Sequence, residues 1–113
     1  MATATQIDLL PEVEAFLREV RDIMCNEVGI VRSASTLKRG FHRLQDLAAG
    51  LGPATTRRGY EARNVLQAGW LITRSALARE ESRGAHYRSD FPAHDDKRFL
   101  KHSLLCGNAI RFE

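Results

Sequence analysis

The stretch Val65-Leu66-Gln67-Ala68-Gly69-Trp70-Leu71-Ile72-Thr73-Arg74-Ser75-Ala76-Leu77 decides the fold. Wound as a helix, it spreads Val65, Leu66, Gly69, Trp70, Ile72, Thr73, Ala76 and Leu77 over nearly half its circumference. A face that wide predicts contact with two other helices at once. The helix containing it is expected from about Thr56 to Arg83, with Gly84 as its cap.

Both partners lie upstream. From Pro11 to Glu27, the residues Val13, Phe16, Leu17, Val20, Ile23, Met24 and Val28 form one apolar stripe opposite Glu14, Arg18, Arg21 and Asp22. Pro11 suits a first helical turn, where its missing N–H is no loss, and Gly29 suits a left-handed stop. A second stripe, Leu37, Phe41, Leu44, Leu47, Ala48 and Leu51, follows the capping candidates Ser33, Ser35 and Thr36 and stops at Gly50-Leu51-Gly52-Pro53. Gly40 lies near its apolar side. Glycine inside a helix costs roughly 1 kcal/mol against alanine, so close approach by a neighbour is expected there.

Three amphipathic helices joined by short loops predict an all-α fold, an antiparallel up-down-up three-helix bundle over residues 11–84. Residues 1–10 read as a disordered or tag-like lead-in without the basic start and apolar core of a secretory signal. Residues 85–113 read as an extended tail docking on the bundle or on a partner domain. Within the tail, Gly107-Asn108 between Leu104-Leu105-Cys106 and Ala109-Ile110-Arg111-Phe112 is a signal for a short β-hairpin. A lone hairpin is marginal in water and needs a surface to lie against.

Composition narrows the function classes. With 113 residues the chain holds one core and is too short for a dinucleotide fold plus a substrate domain. Its 17 basic and 14 acidic residues are interleaved, for a net charge of +3, so no long field of one sign builds up. Arg57-Arg58-Gly59-Tyr60-Glu61-Ala62-Arg63 could touch phosphates or bases, but the basic face is narrow and nucleic-acid binding is not expected. No run approaches the ~20 apolar residues of a membrane span. Cys25 and Cys106 are isolated and read as free thiols in a reducing cytoplasm.

No site chemistry is assigned from spacing. His86, Asp90, His94 and Asp95 have near-helical spacing, but Pro92 interrupts any continuous helix, and a metal is not expected. His42 and Cys25 sit on polar helix sides without a visible partner, so no catalytic residue is named. There is no Gly-x-Gly-x-x-Gly turn to cradle a pyrophosphate; Gly50-Leu51-Gly52-Pro53 comes nearest and is a loop. The chain is therefore expected to bind no cofactor.

The densest polar segment is Glu80-Glu81-Ser82-Arg83-Gly84-Ala85-His86-Tyr87-Arg88-Ser89-Asp90-Phe91-Pro92. In one reading Glu81, Arg83, His86 and Arg88 face a partner domain, with guanidinium forks making bidentate pairs across the contact. In the other, Glu80 and Glu81 are solvated, Ser82 and Arg83 finish the helix, and Gly84 caps it.

This segment, with Val28-Gly29-Ile30-Val31-Arg32-Ser33 and Phe99-Leu100-Lys101-His102-Ser103-Leu104, resembles the C-terminal helical region of L-aspartate oxidase, fumarate reductase and succinate dehydrogenase flavoproteins. The Gly-Ile-Val-Arg-Ser version leans toward L-aspartate oxidases, and the Leu-Lys-His-Ser-Leu run leans toward the respiratory branch. The resemblance covers the chain from about Pro11 onward. It implies a structural and docking domain, inactive alone, whose partner is the flavin-binding domain of a larger enzyme carrying FAD. For that parent it implies oxidation of L-aspartate to iminoaspartate in the cytoplasm, feeding quinolinate and NAD biosynthesis. A free-standing helical interaction module is the competing reading, and self-association is left open.

Overall fold

The computed structural model describes residues 10–113, with side chains from Glu12 onward. Three long helices come first: α1 (Leu10–Glu27), α2 (Ala34–Ala49) and α3 (Arg57–Ala78). A two-residue strand, β1 (Val31–Arg32), joins α1 to α2; after α3 follow β2 (Tyr87–Arg88), the one-turn α4 (Asp96–Phe99), β3 (Ser103–Cys106) and β4 (Ala109–Phe112). Apart from Leu10, the lead-in expected over 1–10 lies outside the described residues.

The chain is mostly helical, yet it is not all-α. Strands β1 and β2 pair in parallel, Val31 with Tyr87 and Arg32 with Arg88. The tail hairpin forms where Gly107-Asn108 signalled it, with Cys106 opposite Ala109 and Ser103 opposite Phe112.

Each long helix packs on the other two. The core is layered along their length: Val13, Leu17, Ala54 and Ala62, then Val20, Ile23, Leu44 and Leu66, then Val28, Leu37 and Ala76. Each fully buried Leu, Ile or Val contributes about 1.5–3 kcal/mol. Helix α2 starts on a capping box in which the Ser33 hydroxyl accepts from the Thr36 N–H and the Thr36 hydroxyl accepts from the Ser33 N–H. It stops at Gly50, as the glycine cluster foretold.

Three sequence expectations need correction. The buried positions of α3 are Gly59, Ala62, Leu66, Gly69, Thr73 and Ala76, with Trp70 and Leu77 half-buried against the core, but Val65 and Ile72 of the expected face are exposed. Helix α3 ends at Ala78, not Arg83, where the Arg88 side chain from the tail occupies the Ala76 and Leu77 carbonyls. Gly29 does not adopt a positive φ. Its role is close approach: a Cβ there would lie 2.6 Å from the Cys25 carbonyl oxygen. The expected crowding at Gly40 is present, with a Cβ there meeting Val28 Cγ2 at 3.0 Å and Glu27 Cβ at 3.1 Å.

The glycines that do need left-handed backbone are Gly84 (φ 59) and Gly107 (φ 60). Each takes the first place of a two-residue turn, Gly84-Ala85 between Arg83 and His86 and Gly107-Asn108 between Cys106 and Ala109. Glycine in that place lets the strand partners close without splaying.

Candidate functional site

The polar segment folds back on the end of the molecule where α1 and α3 finish and α2 begins. The last four carbonyls of a helix lack intrahelical donors, so α1 and α3 each present a cluster of acceptors there. Arginines sit at both ends. Arg32 Nε donates to the carbonyls of Val28 (3.3 Å) and Gly29 (3.2 Å), just past the end of α1. Arg88 Nη1 donates to Leu77 (2.9 Å) and Ala76 (3.3 Å) at the end of α3. A cation at a helix C-terminus also meets the negative end of the dipole.

Arg88 does more than cap. Its Nε and Nη2 grip Asp90 bidentately at 3.1 and 2.7 Å, and Asp90 Oδ2 accepts from the Ala34 N–H (3.0 Å) in the first turn of α2. One ion pair thus joins the end of α3 to the start of α2. The hydrogen bonds from Arg88, with the Ala34 N–H, outweigh burial and hold the Asp90 carboxyl below the usual carboxylate range. The Arg88 side chain also lies over the Phe91 ring, 4.9 Å from its centroid, and Arg88 is 1% exposed.

Glu81 is the second centre and is fully buried, 0% exposed. It accepts from Arg79 (2.6 Å), from Arg83 twice (2.9 and 3.0 Å) and from the Asp95 N–H (2.8 Å). Burial opposes its ionisation, but the bonds from Arg83, the Asp95 N–H and Arg79 prevail, and its pKa falls to about 2. Arg79 then reaches across to the tail, donating to the carbonyls of Phe99 and Lys101 at 2.7 Å and to Ser103 Oγ at 3.0 Å. Its guanidinium lies over Phe112, whose ring meets Phe99 edge-on at 4.8 Å. Arg79 therefore supplies the surface the hairpin needs.

His86 sits between the two centres. Arg32 can only donate, so His86 Nδ1 is the acceptor of the 3.0 Å bond from Arg32 Nη1; the Arg79 carbonyl can only accept, so Nε2 carries the proton at 3.0 Å. Burial, joined by the charges of Arg32, Arg88 and Arg79, pushes the His86 pKa below its ordinary value even though the bond to the Arg79 carbonyl works the other way. It is a neutral imidazole ringed by arginines.

Of the four side chains read from the sequence as facing a partner, Glu81 and Arg88 turn inward and serve the architecture. Arg83 and His86 are partly exposed. Neither alternative for the segment holds in full: Glu81 is not solvated, and Ser82, Arg83 and Gly84 lie beyond the helix, with Ser82 Oγ accepting from the Arg88 N–H. The sequence reading missed Arg32 and Arg79. The available signal was an arginine placed at or shortly after a helix end, Arg79 directly after α3 and Arg32 five residues after α1.

The remaining candidates disperse. Asp95 caps α4 through the Arg98 N–H, Asp90 is committed to Arg88, and His94 is exposed. In the basic cluster, Arg58 pairs with Glu14 and Glu61, Arg57 with Glu61, and Arg63 donates to the Gly52 carbonyl. Arg57 and Arg58 thus have carboxylate partners within the chain.

Comparison with known proteins now places this arrangement. Residues 17–112 match the family described as fumarate reductase flavoprotein C-term. The chain belongs to this family. Among curated flavoprotein relatives, the chloroplastic L-aspartate oxidase of Oryza sativa is 36% identical over 95 residues, covering 75% of this chain and 15% of that protein. A component of the fumarate reductase (CoM/CoB) of Methanothermobacter marburgensis is 42% identical over 84 residues, 66% of this chain and 15% of that one. The L-aspartate oxidase of Caulobacter vibrioides is 39% identical over 90 residues, 79% and 16% respectively. The chain thus spans less than a fifth of the length of these relatives, within the C-terminal part that the family description names.

The turn from β1 into α2 does not have the form of a dinucleotide cradle. A pyrophosphate needs a glycine-rich strand-to-helix turn with free N–H groups. The turn from β1 into α2 is Arg32-Ser33, and the helix start already holds the Ser33 hydroxyl and the Asp90 carboxylate. No helix among the described residues is long and apolar enough to cross a membrane.

Proposed function

We propose that this chain is the C-terminal structural and docking domain of an L-aspartate oxidase-like FAD enzyme of the cytoplasm, which converts L-aspartate to iminoaspartate on the way to quinolinate and NAD. Alone it performs no catalysis and holds no flavin. The observation that carries this reading is the family match across residues 17–112, which takes in both the hairpin and the arginine knot, that is, the polar segment from Glu80 to Pro92.

The geometry supports a preformed docking element. The arginines spend their donors on Glu81, on Asp90 and on the end of α3, so the segment from Glu80 to Pro92 is held in place before any partner arrives. The up-down-up course belongs to the same reading, supported by Arg88 and Asp90 joining the end of α3 to the start of α2. Arg83 and His86 lie on the outward side of the knot, where Glu81 positions Arg83 and Arg88 fixes the segment to the end of α3.

Two measurements test the proposal. Purified alone, the chain should lack the absorbance near about 450 nm that any oxidised flavin brings. Mixed with the flavin-binding portion of the Caulobacter vibrioides L-aspartate oxidase, made without its own C-terminal part, it should co-elute as a yellow complex. A yellow isolated chain, or no complex, overturns the reading. The identity to the Methanothermobacter fumarate reductase supports a second parent, a fumarate reductase or succinate dehydrogenase flavoprotein. The coding sequence upstream separates the two parents, and a complete small gene would favour the free-standing module.

A further inference from the structure

Resting on the docking reading, we infer that the flavin-binding portion of the parent seats in the hollow beside Arg32, and that the seated surface is apolar and carries a carboxylate that pairs with this arginine. The hollow, about 360 Å³, runs between α3 and the knot and is lined by Arg32, Leu71, Ile72, Ala76 and His86. Arg79, His86 and Ser103 also line a neighbouring hollow of about 560 Å³ that reaches Leu100, so the two form one trough.

Charge assigns the occupant. Arg79 and Arg83 share Glu81, and Arg88 holds Asp90, but Arg32 has no carboxylate partner among the described residues. Its Nε and Nη1 are spent on two carbonyls and the His86 ring, and its Nη2 has no acceptor among the described residues. Burial lowers its pKa, with no opposing attraction. A partly buried cation without a counter-charge is unfavourable, and a guanidinium with a free nitrogen is shaped to take an oxygen anion.

The surroundings say what kind of surface brings that anion. Large apolar side chains stand out around the trough, Ile72 at 49% and Leu100 at 64% exposed, with Ile30, two residues before Arg32, at 88%. Exposed apolar clusters of this sort mark protein contacts. A second copy of the chain is a poor occupant, since in a two-fold contact the same hollow would face Arg32 and its lining holds no carboxylate. The missing body of the parent can supply both the apolar surface and the carboxylate.

The test measures affinity for the flavin-binding portion of the Caulobacter vibrioides L-aspartate oxidase by calorimetry, after circular dichroism shows each variant folded. Arg32→Gln should weaken binding about thirtyfold or more, the range seen when one partner of a buried charge pair is removed. Ile72→Glu leaves the knot untouched and should weaken binding comparably, which decides the matter should Arg32→Gln fail to fold. Arg18→Gln, on the exposed side of α1, should bind within twofold of wild type. A wild-type complex that tolerates Ile72→Glu, or a folded Arg32→Gln, within threefold overturns the inference and leaves the docking reading standing. A chain that dimerises through this face also overturns it, and failure of the wild-type chain to bind removes the docking reading itself.

Discussion

Replacing Arg88 with methionine keeps the length of a buried side chain and deletes its guanidinium. The loss can be followed contact by contact. The Ala76 and Leu77 carbonyls lose their donors, and the Asp90 carboxylate loses a bidentate partner while keeping the Ala34 N–H. Removing one member of a buried ion pair costs about 3–5 kcal/mol. Asp90 is partly solvated, its side chain 30% exposed, so the low end applies, about 3 kcal/mol. For a domain of about 100 residues that is a fall in Tm of roughly 12–24 °C. Urea unfolding followed by circular dichroism reads the change directly. The Arg88→Met/Asp90→Asn double variant should lose less than the sum of the single losses, since the two side chains form one unit. A loss below about 1 kcal/mol, the range of exposed ion pairs, would refute the claim that Arg88 holds the helix ends together.

Three other perturbations follow from the same geometry. Glu81→Gln should destabilise the chain by about 2 kcal/mol at neutral pH, the scale of hydrogen bonds to a charged group, and a neutral effect in urea unfolding would count against the buried centre. The wild type should be acid-sensitive there: the folded pKa of about 2 lies below the usual 4.5, the unfolded chain binds the proton more tightly, and stability drops as pH falls from 4.5 toward 2. Glu81→Gln should flatten that part of the profile. His86 also titrates below its ordinary 6.5 when folded, so its contribution is present above that pH and lost as pH falls through the folded value. Nitrogen-15 NMR at pH 7 should show a neutral ring protonated at Nε2, and a charged ring or an Nδ1 proton would contradict the bond from Arg32. Gly40→Ala sets a helix-propensity gain of about 1 kcal/mol against overpacking of about 1–3 kcal/mol. With Val28 Cγ2 at 3.0 Å and Glu27 Cβ at 3.1 Å, overpacking should win, and a more stable variant would show that α1 yields easily.

The helical stripes were legible because burial in α1 and α2 repeats every three or four residues, a local pattern. Helix ends were less so. Gly84 does take the left-handed backbone a cap would need, but it serves a turn between Arg83 and His86, and α3 stops at Ala78. That stop depends on Arg88, which lies ten residues further along and donates to the end of the helix. The pairing of β1 with β2 brings residue 31 beside residue 87, and two-residue strands carry no periodicity to detect. The charge density of the knot could be read from the order of residues. Its inward direction could not, because Glu81 and Arg88 are buried only by virtue of Arg79, Asp90 and the backbone of Asp95.

Hydrogen–deuterium exchange of this chain, free and bound to a flavin-binding portion, tests the docking claim most directly. Added protection should fall on Ile30–Arg32, Leu71–Ala76 and Phe99–Ser103, around the trough, and leave the exposed side of α1 near Arg18 and Arg21 unchanged. Protection on that opposite side, or none anywhere in the chain, would contradict it.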